Sequence, residues 1–176
     1  MIIERTWSMP NSKTFKIKSI QKLIKEELIN GIIIDLFANE CSIKSIMNNY
    51  QQYISNDLDL SYNTDYHLDA LDFLKQFEDN SVDMVLYDPP YSPRQVSECY
   101  KKLNKTVNMQ TTQASYWGNQ KKQIARILKK NGKVITFGWN SGGIGKTKGL
   151  IIERILLVAH GGWHNDTICT VERRIN

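Results

Sequence analysis

The chain has 176 residues, enough for one domain with a sizeable core. Its hydrophobic (41%) and charged (23%) fractions fit an ordinary globular protein and exclude a disordered or fibrous one. No apolar run approaches the ~20 residues of a helical membrane span, and residues 1–10 lack the apolar core of a signal peptide, so a cytoplasmic protein with no membrane partner is expected. The formal net charge of +5 favours a polyanionic partner, while Cys41, Cys99 and Cys169 are far apart, odd in number and away from the three histidines, so neither a disulfide framework nor a metal site is expected.

Pro10-Asn11-Ser12 reads as a turn. Ile17, Ile20, Leu23, Ile24 and Leu28 then recur at helical spacing, which predicts an amphipathic helix over 17–30 with Gly31 as its C-terminal cap. Residues 32–37 are a β-rich apolar run and the best candidate for the first, central strand. Ser42 stands where it can N-cap a helix over 42–49. A second strand is expected at 50–55, followed by the acidic residues Asp57 and Asp59. Leu71, Phe73, Leu74 and Phe77 give a short helical pattern. The run 81–87 reads as a buried parallel strand. It must stop at Asp88, because Pro89 and Pro90 have no N–H to give to a ladder.

Downstream, residues 96–103 read as a helix, and 104–119 as a long polar stretch. That stretch is either a mobile lid, a nucleic-acid-contacting loop carrying Lys105 beside Lys101 and Lys102, or a plain surface loop. A helix is expected over 120–130, closed by Asn131-Gly132, and a strand over 133–139. The loop 140–149 contains Gly145-Lys146-Thr147. A Walker A motif requires glycine five residues before Gly145, where this chain has Asn140, so a phosphate-backbone contact is the better reading. Residues 149–158 and 167–174 predict a terminal antiparallel hairpin. The alternation of strands and helices through 32–87 is the pattern of a doubly wound sheet.

In such sheets ligands bind at the carboxyl ends of the strands. There the Asp88-Pro89-Pro90-Tyr91 turn presents a carboxylate, carbonyls and an aromatic face. That set suits a planar group bearing an amine: Asp88 and the Pro89 carbonyl accept from the NH2, and Tyr91 stacks on the ring. The plain alternative is an ordinary strand-to-turn junction.

Asp-Pro-Pro-Tyr after such a strand resembles the catalytic motif of the amino-methyltransferases that use S-adenosylmethionine. The likeness is greatest to the small stand-alone DNA adenine-N6 methyltransferases of phages and mobile elements. Asp35-Leu36-Phe37-Ala38 resembles the start of the loop that wraps the methionine end of that cofactor. Asn39 and Glu40 depart from it, standing where glycines are expected; of the two, Asn39 tolerates a positive φ. The segment 62–74 resembles the third-strand region of the family.

The resemblance implies a Rossmann-like class I methyltransferase fold: one α/β domain over 1–176, with a single mostly parallel seven-stranded sheet, a C-terminal antiparallel hairpin and helices on both faces. It implies catalytic roles for Asp88, Pro89, Pro90 and Tyr91. It implies cofactor contacts at Met9, Phe15, Asp35, Phe37, Asn39, Asp57 (on the ribose hydroxyls, with Asp59 in reserve), Asp69 and Ala70 (at the adenine), and Asp88. For Met9 and Phe15 the alternative is that they cover the domain's edge; for Asp57 it is a solvated turn. The expected partner is double-stranded DNA with a flipped adenine, and a homodimer is left open. An RNA amino-methyltransferase and a non-catalytic nucleic-acid-binding subunit with a decayed cofactor loop remain as alternatives.

Overall fold

The computed structural model describes residues 1–175. These residues form one seven-stranded sheet in the order β1-β6-β7-β5-β4-β2-β3. The strands are β1 (Ile2–Trp7), β2 (Gly31–Asp35), β3 (Gln51–Ser55), β4 (Val82–Tyr87), β5 (Leu128–Gly138), β6 (Leu150–Ala159) and β7 (Thr167–Arg174). Only β7 runs antiparallel to its neighbours, β5 and β6, as the hairpin pattern predicts. The helices are α1 (Lys18–Glu27), α2 (Ala70–Leu74), α3 (Pro93–Lys102), α4 (Met109–Thr112) and α5 (Ala114–Ile127). None of the described helices is long and apolar enough to cross a membrane.

Successive residues of a strand point to opposite faces, so apolar runs such as Ile33-Ile34 and Met84-Val85-Leu86 feed two cores at once. On one face Ile33, Met84, Leu86, Ile135 and Phe137 pack under Ile20, Leu23 and Ile24 of α1. On the other, Ile34, Val85, Tyr87 and Val134 pack under Phe73 and Leu74 of α2 and Ile124 and Ile127 of α5. Each fully buried side chain of this size contributes about 1.5–3 kcal/mol. The register aligns Asp35 with Leu86 and Tyr87 with Thr136. The carboxyl ends of β2, β4 and β5 therefore end level, and that edge holds the site.

Four local expectations are corrected. The seventh strand comes from residues 2–7, which add to β6 in parallel, while the 62–68 region contributes only a single bridge, Asn56 to Tyr66. Ile2 and Ile3 are exposed, so β1 is held by its ladder and by Glu4, which binds Arg154 at 2.5 Å, and has no apolar periodicity to betray it. The helix expected over 42–49 is one 3-10 turn at Lys44–Ile46, since Ile43 alone of this stretch is fully buried and no apolar stripe exists to seat a longer helix.

The first helix ends at Glu27, and Gly31 (φ 108°) serves the start of β2 instead of a helix cap. A Cβ there would lie 2.1 Å from the Asp83 carboxylate, which accepts from the Ile32 N–H at 2.8 Å. Finally, α5 takes in residues 114–119 of the expected polar stretch and ends at Ile127. Leu128 then pairs with Val82, and the chain bulges before Lys133 pairs with Met84. Asn131 (φ 66°) thus closes a bulge in β5 and not a helix.

Candidate active site

Tyr87 ends β4, and the Asp88-Pro89-Pro90-Tyr91 turn leads straight into α3, whose first residue is Pro93 and whose N-cap, Ser92, accepts from the Gln95 N–H at 3.3 Å. The turn is fixed from several sides. The Gln95 side chain accepts from the Tyr91 N–H at 2.6 Å, and the Trp117 indole of α5 donates to the Pro90 carbonyl at 2.8 Å. The Tyr91 hydroxyl donates to Asp88, and the Tyr91 ring meets Trp139 edge-on at 5.4 Å. The polar stretch that the sequence leaves open between a lid, a nucleic-acid-contacting loop and a plain surface loop therefore supplies, through Trp117, a brace for the turn.

A cleft of about 780 Å³ opens beside it. Phe37, Asn39, Asp57, Asp69, Ala70, Asp88, Pro89, Pro90 and Tyr91 all line this cleft, so the structure brings together most of the residues singled out in the sequence. Three do not join them. Met9 is 67% exposed and outside the lining, and Phe15 is a core residue packed edge-on against Phe137 at 4.9 Å. The 10–14 stretch approaches the cleft instead through Pro10, Asn11, Ser12 and Thr14. Asp35 is the third. It is fully buried beneath the cleft, accepting from the Tyr53 hydroxyl at 2.8 Å and the Phe37 N–H at 3.3 Å. Burial pushes its carboxyl up to about 7, with Asp88 and Asp57 adding repulsion and the Tyr53 and Phe37 hydrogen bonds opposing.

The glycine-poor loop keeps its shape by other means. Asn39 adopts φ 47°, donates from its N–H to Asp57 at 2.9 Å and from its side chain to the Phe37 carbonyl at 3.1 Å. Glu40 turns outward to Lys13 and Lys16, whose hydrogen bonds hold its carboxyl down at about 2. The glutamate thus fastens the 10–16 stretch to the loop. Asp57 also accepts from the Asp59 N–H at 2.9 Å; burial raises its carboxyl and these backbone bonds oppose. Asp88 is likewise raised by burial, against hydrogen bonds from Tyr91 and Thr14. Asp69 N-caps α2 through the Leu71 N–H at 3.0 Å, and its other oxygen accepts from the Tyr100 hydroxyl.

Several lining residues carry no sequence signal of their own. Buried Asn56 ties together the chain ends of this edge, donating to the Leu36 and Leu68 carbonyls at 3.1 Å and accepting from the Leu68 N–H at 2.9 Å. Tyr100 reads as part of the α3 core stripe, yet reaches Asp69. Trp139, His160 and the fully exposed Trp163 rim the cleft from the ends of β5 and β6. At the start of the Gly145-Lys146-Thr147 loop, the two amides of Ile144 and Gly145 are turned to a carboxylate of the protein's own and are not free for a phosphate. Buried Glu172 accepts from the Ile144 N–H at 2.6 Å and the Gly145 N–H at 2.9 Å.

No protein-family model matches the chain, and no curated protein matches it in sequence. Solved structures do resemble it. The precorrin-6y C5,15-methyltransferase from Geobacter metallireducens aligns over 95% of this chain and 93% of its own, with 12% identity and a TM-score of 0.61. The 1,6-didemethyltoxoflavin-N1-methyltransferase from Burkholderia thailandensis, solved with 1,6-didemethyltoxoflavin and S-adenosylhomocysteine, aligns over 90% of this chain and 78% of its own, with 8% identity and a TM-score of 0.60. TrmN from Thermus thermophilus aligns over 90% of this chain and 49% of its own, with 14% identity and a TM-score of 0.57. At these identities the likeness establishes the fold, which is that of the Rossmann-like methyltransferases.

Proposed function

We propose that the protein transfers a methyl group from S-adenosylmethionine to an exocyclic amine, the N6 of adenine in DNA. The observation that carries this reading is the turn itself: a half-buried carboxylate, Asp88, held beside the rings of Tyr91 and Trp139 at the carboxyl edge of the sheet.

The cleft suits the cofactor. Asp57, Asp69 and Asp88 give it an acidic lining, favourable for a ligand carrying a sulfonium and an ammonium group. In this reading Asp57 takes the ribose hydroxyls, Asp69 and Ala70 meet the adenine, and the 37–39 backbone meets the methionine end; all of them line the cleft except Ala38. When bound, this cofactor supplies a methyl group activated by its sulfonium. The protein's share is to hold the nitrogen. Asp88 and the Pro89 carbonyl accept from the NH2 and so direct the nitrogen lone pair at the methyl carbon, a gain of orientation and electrostatics. With the cofactor bound, the C–N bond would form as the S–C bond breaks. The nitrogen becomes acidic as it gains the methyl, and its proton passes to Asp88, whose raised carboxyl favours holding it.

A stacked adenine cannot bring N6 into this cleft, so the base must leave the helix, and Tyr91 and Trp139 offer it ring contacts. Lys101, Lys102 and Lys105, at and just beyond the end of α3, and Lys146 and Lys148, on the 140–149 loop, supply cations for the phosphate backbone. Incubation with labelled S-adenosylmethionine and DNA or RNA, followed by nucleoside analysis, tests the proposal. N6-methyladenine in DNA is expected. N2-methylguanine in RNA would transfer the same chemistry to the alternative substrate, and no transfer together with no thermal shift by the cofactor would refute an enzymatic role.

A further inference from the structure

The start of α3 carries one polar group that the fold leaves unused. Ser92-Pro93-Arg94-Gln95 has the spacing of a capping box, in which the residue three after the N-cap reaches back to the backbone. The Ser92 hydroxyl accepts from the Gln95 N–H at 3.3 Å, and the Gln95 side chain accepts from the Tyr91 N–H at 2.6 Å. A backbone N–H can only donate, so the atom facing it must be the amide oxygen of Gln95, and the orientation of that amide is fixed. The end left over is its NH2. This group has no hydrogen-bond partner among the described residues and keeps surface open to solvent. Gln95 lines the large cleft together with Asp88, Pro89 and Tyr91, and takes no part in a smaller cavity of about 210 Å³ behind Tyr91.

Capping alone does not account for the amide. Glutamate would accept from the Tyr91 N–H equally well, and its charge would suit a helix N-terminus better. What Gln adds is a pair of N–H donors, held against the turn assigned to the substrate amine. The cleft wall thus carries acceptors, the Asp88 carboxylate and the Pro89 carbonyl, and a donor close to them on the same stretch of chain. The complement is a planar ring with an NH2 beside an unprotonated ring nitrogen. Adenine presents that pattern twice, as N6 with N1 and as N6 with N7. A ring with an N–H in that place would set donor against donor.

We infer that Gln95 is a specificity-determining residue, donating from its amide to the ring nitrogen beside the amine that is methylated. This rests on the proposed adenine substrate and deepens it: Asp88 and Pro89 hold the amine, and Gln95 recognises the ring that carries it.

The test is single-turnover methylation, with S-adenosylmethionine saturating and at ~pH 8 so that a glutamate is ionised. The substrates are DNA duplexes whose target base is adenine, 1-deazaadenine or 7-deazaadenine; each deaza base keeps the amine and replaces one ring nitrogen by C–H. The proteins are the wild type, Gln95→Glu and Gln95→Met. Glu keeps an acceptor for the Tyr91 N–H and removes the donors, so this variant should melt within a few degrees of the wild type, while Met removes both. The quantity compared is the ratio of adenine to deazaadenine rates within each protein, from which the general effects of an added charge or a loosened turn cancel. In the wild type, one of the two deaza bases is expected to react roughly tenfold or more slowly than adenine, which names N1 or N7 as the contact. In both variants adenine should slow by roughly tenfold or more, and that ratio should fall to about threefold or less, because the partner is already lost. A wild type indifferent to both deaza bases, or variants that keep the wild-type ratio, overturns the role of Gln95 and leaves the proposed reaction standing. A wild type that binds S-adenosylmethionine but methylates no adenine in DNA removes both.

Discussion

Replacing Asp35 by Asn tests whether this carboxyl is a buried, proton-holding part of the fold. Asp35 has no exposed surface, and its proton affinity is moved from an ordinary 3.8 to about 7, first by burial. The folded protein therefore holds this proton more tightly than the unfolded chain. The stability it lends is complete below about pH 4 and is lost as pH rises to about 7. At 1.36 kcal/mol per pH unit, that interval corresponds to a loss of at most about 4 kcal/mol. Full burial removes the need to discount for solvent. Asn cannot ionise, and its amide oxygen can still accept from the Tyr53 hydroxyl.

Asp57, Asp88 and Glu172 are also raised by burial, so the wild-type slope alone mixes several groups. The difference between the two proteins isolates Asp35. Urea unfolding at pH 4, 5, 6, 7 and 8 should show Asp35→Asn gaining on the wild type by up to about 4 kcal/mol, most of it between pH 4 and 7. A difference constant within about 1 kcal/mol would refute the reasoning, for it would mean that the carboxyl ionises in the fold as it does in water.

Asp88→Ala should reduce methyl transfer at least ~100-fold while calorimetry finds cofactor affinity within a few-fold, because Asp88 is assigned to the substrate amine. Tyr91→Ala should fall by a similar factor through lost ring contact. Tyr91→Phe keeps the ring but loses the hydrogen bond to Asp88, so a loss of about tenfold in single-turnover rate is expected, and full activity would show that the bond is dispensable. Glu172→Ala strands the Ile144 and Gly145 amides and should cost about 2–4 kcal/mol by denaturant unfolding, with Glu172→Gln costing less. Replacing both Lys146 and Lys148 by Gln should lower the log–log salt slope of DNA binding by about two, and an unchanged slope would place the backbone elsewhere.

Much of the edge was legible because its residues act locally. Two prolines end a strand wherever they stand, so Asp88 had to sit at the carboxyl end of β4. Asn is among the few side chains that accept a positive φ, and Asn39 takes one. Met9 and Phe15 show the limit of a resemblance carried over residue by residue: their stretch of chain reaches the cleft, but through Pro10, Asn11, Ser12 and Thr14. Asp35 shows another limit. It stands at the strand end the pattern requires, yet Tyr53 on the neighbouring strand claims its carboxylate, a partner 18 residues away that no local pattern identifies.

The sequence by itself determined the strands at Gly31–Asp35, Gln51–Ser55 and Val82–Tyr87, the terminal hairpin and the rigid turn, because hydrophobic period and proline chemistry operate over a few neighbouring residues. Tertiary structure alone decided the rest. It recruited residues 2–7 as the seventh strand through ladder bonds that leave no apolar stripe. It required glycine at position 31 because Asp83, on another strand, occupies the place of a Cβ. It brought Trp117, Lys121 and Trp139 together around Tyr91, forming a second cavity from three separate stretches of chain. Contacts of this kind depend on which segments the sheet makes neighbours, and that is settled only when the whole core is buried at once.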